Sequence, residues 1–106
     1  MTLQEHSTVQ HFQTLLRQRF EPLDMRVFGS RARGEAAADS DLDVLVIVET
    51  LDAATDRYVS ECAWEAGFDS GIIVAPLVYS RDGYAREGAL PLIRAIEREG
   101  EVIGFQ

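Results

Sequence analysis

Two carboxylates one residue apart, Asp41 and Asp43, open an apolar run from Leu42 to Val48 in which every residue but Asp43 is aliphatic. Most of these residues are β-branched, and so short and stiff a run predicts a strand buried on both faces rather than a helix. Side chains alternate along a strand, so Asp41 and Asp43 share one side, with α-carbons roughly 6–7 Å apart. Carboxylates that close repel and raise each other's pKa unless a cation sits between them. Oxygen ligands of this kind suit Mg²⁺, which one or two carboxylates hold while substrate phosphates complete its shell.

The stretch upstream offers a cradle for those phosphates. Gly29 lets backbone approach a ligand closely, and Ser30 brings a hydroxyl and an N–H to the first turn of a short predicted helix, Ser30 to Arg33. Arg31 and Arg33 add fixed positive charge beside that turn, and Gly34 lets the chain bend back toward the aspartates. A lone Gly-Ser is an ordinary loop and a lone Asp-x-Asp an ordinary strand entry. Together, ahead of a buried strand, they describe a phosphate and metal site.

At these residues the chain resembles the minimal nucleotidyltransferases of the DNA polymerase β-like superfamily, whose signature is Gly-Ser, ten residues, then Asp-x-Asp. Gly29-Ser30 and Asp41-Leu42-Asp43 keep that spacing, and Ala32-Arg33-Gly34 and Ser40-Asp41 match the usual intervening residues. The resemblance implies that Ser30 contacts the triphosphate of ATP or another NTP, within a nucleotide-binding set of Gly29, Ser30, Arg31, Arg33 and Ser40. It implies that Asp41 and Asp43 are catalytic and hold Mg²⁺, in a one- or two-metal site that Mn²⁺ could also fill. The reaction implied is transfer of a nucleoside monophosphate to a hydroxyl acceptor. Members commonly act beside a helical protein of the HEPN type, often as the antitoxin of a toxin–antitoxin pair, so such a partner or self-association is expected. The family's third carboxylate, on a neighbouring strand, would fall at Ala75 or Pro76, and neither is acidic. Glu49 lies ~20 Å from Asp43 along the strand, and Asp69 precedes the strand that should carry the third acid. The alternative reading is therefore a nucleotide-binding or partner-binding module with impaired turnover.

The elements that must position this site follow from the patterning around it. The 106 residues, 46% hydrophobic and 26% charged, fit one globular domain without a separate acceptor-binding domain. A formal net charge of −8 speaks against a general nucleic-acid-binding surface. All ten basic residues are arginine, so no lysine is present for a Walker-type loop or a Schiff base. The one cysteine, Cys62, sits in a helical pattern as a small core residue. No apolar run approaches ~20 residues and the start carries no signal pattern, so a cytoplasmic protein without a membrane partner is expected.

A first helix is predicted from Ser7, where Ser7 and Gln10 form a capping-box pattern, through Val9, Phe12, Leu15, Leu16 and Phe20, ending before Pro22. His6 and His11 read as solvated or capping residues. Asp24 to Phe28 reads as a strand leading into Gly29, and Asp39, in the loop from Glu35 to Ser40, is a candidate partner for Arg33. Leu51 to Ala66 reads as a helix with Gly67 as its C-cap and Trp64 off its apolar stripe. Gly71 to Tyr79 reads as a strand that Pro76 confines to an edge or a bulge. Ser80 to Gly88 is a short helix or loop whose Arg81 and Arg86 read as surface residues within conceivable reach of a triphosphate. A last helix runs from Pro91 to Gly100, and Val102 and Ile103 form a short edge strand. The fold class is α/β (α+β): a small mixed sheet of three to four strands, with helices packed mainly on one face.

Overall fold

A computed structural model describes residues 1–35, 37 and 39–104. Among the described residues nine elements follow one another: α1 (Leu3–Leu16), β1 (Asp24–Phe28), α2 (Gly29–Arg33), β2 (Leu42–Val48), α3 (Ala53–Phe68), β3 (Val74–Ser80), α4 (Arg81–Arg86), α5 (Pro91–Glu99) and β4 (Glu101–Val102). The strands form one mixed sheet in the order β3-β2-β1-β4, with β2 antiparallel to β1 and parallel to β3.

β2 is central, and its aliphatic run is explained by burial on both sides. Leu42, Val44, Val46 and Val48 face the larger core with Val9, Phe12 and Leu16 of α1 and Val59, Cys62, Ala63 and Ala66 of α3. Leu45 and Ile47 face the smaller core under Ile93 and Ile96 of α5. The two long helices thus share one face, and α5 covers part of the other. Burying the four β2 side chains of the larger core contributes about 1.5–3 kcal/mol each before entropy is counted. Pro76 sits within β3, an edge strand of the sheet, where its missing N–H need not break a ladder on the open side.

The bounds of α1, α3 and β3 differ from expectation. α1 begins not at Ser7 but after Thr2, because Thr2 and Glu5 form the capping box: the Glu5 N–H donates to Thr2 Oγ1 at 3.1 Å and the Thr2 N–H to Glu5 Oε1 at 2.7 Å. Phe20 lies beyond that helix and packs edge-on against Tyr58, with ring centroids 6.2 Å apart. α3 begins after Asp52, whose Oδ1 accepts from the Thr55 N–H at 2.7 Å, and this leaves Leu51 and Ala54 exposed. It also runs through Gly67 to Phe68. A Cβ on Gly67 would fall 1.9 Å from the Ile72 carbonyl oxygen, so this glycine serves close packing of the returning chain rather than a cap. β3 starts at Val74 rather than Gly71. Among the described residues no helix is long and apolar enough to cross a membrane.

Candidate functional site

The β1–α2 turn and the start of β2 bring the motif together. β1 and β2 pair with Phe28 opposite Asp43, so the chain leaving β1 enters α2 directly beside the carboxylate. Gly29 adopts φ +78°, and a Cβ built on it would lie 2.3 Å from Asp43 Oδ2. A side chain there would have to displace the Asp43 carboxylate, and the positive φ itself favours glycine. Gly34 closes α2 in the left-handed region at φ +74°, turning the chain back as expected.

Asp43 is half-buried and Asp41, one residue before the strand, is exposed. Burial first, and then the Asp41 charge, push the Asp43 carboxyl above the usual carboxylate range, while the Arg33 guanidinium opposes them. Asp41, Asp43 and Arg33 therefore share one electrostatic site. Arg33 pairs with Glu35 at 3.0 Å and lies 3.9 Å from Glu99 of α5, so its partner is Glu35 rather than the expected Asp39. Ala36 and Ala38, in the loop between the two halves of the motif, lie outside the described residues.

Arg31, expected beside the phosphates, is nine-tenths buried instead. Its Nε donates to the Ser40 carbonyl at 2.8 Å and its Nη1 to Glu5 Oε2 at 2.8 Å. This corrects its placement: the guanidinium faces inward because a buried carboxylate awaits it on α1. Burial pushes the Glu5 carboxyl up, but the bonds from Thr2 and Arg31 outweigh it and hold the group below its ordinary value. The chain of contacts runs from the N-cap of α1 through Glu5 and Arg31 to Ser40, the residue before Asp41. Glu5 is the site-supporting residue that patterning missed. Its one sequence signal was its position three residues after Thr2.

Two carboxylates are present where the resemblance implied three. The parallel register pairs Asp43 with Ala75 and Val44 with Pro76, so Ala75 shares the Asp43 face and Pro76 the face of the larger core. Among the described residues no group of three or more His, Cys, Asp or Glu side chains could hold a metal ion. Glu49 pairs with Arg81 at 2.9 Å at the far end of β2, and this takes Arg81 away from the aspartates. A cavity of about 320 Å³ lies at that far end as well, lined by Arg19, Phe20, Val48, Asp52 and Tyr58 among others, about 17 Å from Asp43 along the strand.

The family model of the nucleotidyltransferase domain matches residues 9–81, the span from α1 to the first residue of α4 that holds the whole motif. This chain belongs to the nucleotidyltransferase domain family. No curated protein matches the chain. Among solved structures, the nucleotidyltransferase domain is similar to a chain described as the crystal structure of the toxin–antitoxin with AMP-PNP. The TM-score is 0.65 at 22% identity, over 98% of this chain and 76% of that one, a likeness of fold.

For this nucleotidyltransferase domain the residues fit a divalent cation. The carboxylates repel each other, the half-buried Asp43 is held protonated longer than an ordinary aspartate, and Gly29 lets the α2 turn come up against that carboxylate. Asp41 and Asp43 would be the ligands, and the cation would stabilise charge at a transferring phosphorus.

Proposed function

We propose that the protein is a metal-dependent nucleotidyltransferase that moves a nucleoside monophosphate, AMP from ATP, to a hydroxyl on a partner protein, the new bond forming at the α-phosphorus as pyrophosphate leaves and the hydroxyl gives up its proton. The observation that carries this reading is the approach of Gly29 to Asp43, which sets the α2 turn against the carboxylate. Ser30 and nearby backbone N–H groups bind the β- and γ-phosphates, and Arg33, freed from Glu35, adds positive charge beside them. Asp41 and Asp43 hold Mg²⁺, or Mn²⁺ in its place. Ser40, anchored through its carbonyl by Arg31, fixes the approach of Asp41. The likeness to a toxin–antitoxin structure with AMP-PNP supports nucleotide binding within a toxin–antitoxin pair; a cytoplasmic location and a helical, HEPN-type toxin as partner rest on the family resemblance alone.

A second reading is favoured by Ala75, which stands beside Asp43 where an acid would complete a general base. Without that acid the chain would bind Mg-ATP yet transfer slowly, as a nucleotide-binding or partner-binding module. Incubation with α-labelled ATP, Mg²⁺ and candidate acceptor proteins separates the two. Label that appears on an acceptor and is lost in Asp41→Asn supports transfer. Tight Mg-ATP binding with no label supports the module.

A further inference from the structure

Trp64, Phe68 and Ile73 are each about two-thirds exposed (69%, 67% and 68%), an unusual state for three large apolar side chains in one place. Trp64 and Phe68 stack on consecutive turns of α3 with ring centroids 5.0 Å apart. Together with Gly67, Gly71, Ile72 and Ile73 they line a depression of about 230 Å³, the size of a single apolar anchor side chain's seat. Gly67 makes the floor, because any side chain there would strike the Ile72 carbonyl.

The position of this patch ties it to the site. The Leu42 N–H donates to the Ile73 carbonyl at 2.8 Å, and Leu42 lies between Asp41 and Asp43. Ile73, at one end of the patch, therefore lies beside the strand entry that carries the aspartates. Charge narrows the occupant further. From Tyr58 to Ser80 the chain has no basic residue, while Glu61, Glu65 and Asp69 are exposed around the aromatic pair. A second copy would bring the same acidic rim and a net charge of −8 against it, so a two-fold pairing would oppose like charges.

We propose that the Trp64–Phe68–Ile73 patch is the docking surface for a basic protein partner, which inserts an apolar anchor between the aromatics and sets arginines or lysines against Glu61, Glu65 and Asp69. The partner's hydroxyl acceptor is thereby delivered to Asp41 and Asp43, a step that rests on the transferase reading. Aromatic anchors ringed by polar contacts carry most of the energy of such interfaces. The acidic rim sets partner choice and encounter rate.

Trp64 is the only tryptophan, so its fluorescence reports the patch directly. The probes are two synthetic amphipathic helical peptides with the same leucine stripe, one flanked by lysines and one by glutamates. The expected result is a blue shift with the lysine peptide, at least about tenfold weaker binding of the glutamate peptide, and reversal of that preference in the Glu61→Lys/Glu65→Lys variant. Phe68→Ser and Ile73→Ser should each weaken the lysine peptide about tenfold. Equal binding of both peptides, failure of the lysine peptide to bind, or a concentration-dependent dimer that buries Trp64 would overturn the proposal. Mg-ATP binding is measured in parallel on the unmodified protein and on Phe68→Ser, where it should be unchanged. Absence of Mg-ATP binding in the unmodified protein would sink the transferase reading and leave the docking result standing.

Discussion

The Cβ that Gly29 lacks would lie 2.3 Å from Oδ2 of Asp43, which makes these two residues a single structural unit. Gly29→Ala should therefore both strain the backbone at φ +78° and displace the carboxylate. The expected loss is about 1–3 kcal/mol of stability from the strained backbone alone, with Mg-ATP binding abolished. The coupling can be isolated. In Gly29→Ala/Asp43→Ala the clash is gone, so thermal unfolding should show a smaller loss than the sum of the single variants. Strict additivity would mean that the contact carries no energy.

Asp43 has a folded-state pKa above its ordinary value, which fixes the sign of its pH dependence. Its protonated form is the one the fold favours, so its stability contribution is present below the ordinary carboxylate pKa and is lost as pH rises through the folded value. Asp43→Asn should stabilise the metal-free protein at neutral pH by about 0.5 kcal/mol, with the gain vanishing in acid. Mg²⁺ affinity of the unmodified protein should rise across the same window, since metal and proton compete. Melting curves at stepped pH, with and without Mg²⁺, check both.

Glu5 has the opposite sign. Its folded pKa is lowered, so its contribution is present above the ordinary glutamate value and is lost as pH falls through the folded one. Glu5→Gln should cost about 2–3 kcal/mol at neutral pH, because the Arg31 guanidinium is left buried without its carboxylate. Arg31→Lys keeps the charge but cannot reach Ser40 and Glu5 with one fork. It should weaken Mg-ATP binding although both side chains are buried. Unchanged nucleotide affinity in both variants would limit the pair to a stabilising role.

The register of β3 separates two substitutions that the amino-acid pattern left equivalent. Ala75→Asp places a carboxylate on the Asp43 face, whereas Pro76→Asp points one at the larger core. A gain in transfer toward the ~10²–10⁴-fold of a positioned base is expected from the first alone. The second should lower the melting temperature. A gain from Pro76→Asp, or none from either with folding intact, would contradict the assignment of the vacant position.

Much of this was legible in the chain before any fold was known. The β2 run, the turning glycines Gly29 and Gly34, the edge proline and the last helix rest on local chemistry, and local chemistry decided them. Arg31 was not legible, because its partner Glu5 is 26 residues away and only folding brings the two together. Gly67 resembled a cap because its cause, the Ile72 carbonyl, depends on how the chain returns to the sheet. The same holds for Trp64, whose exposure was foreseen but whose neighbour Ile73 is joined to the motif by one backbone hydrogen bond.

The most direct measurement is calorimetric titration of ATP into the unmodified protein with and without Mg²⁺, repeated on Asp41→Asn and Asp43→Asn. The account predicts binding that requires the metal and falls at least about tenfold in each variant, a loss of about 1.4 kcal/mol or more. ATP binding that is indifferent to Mg²⁺ and unchanged by either substitution would contradict it.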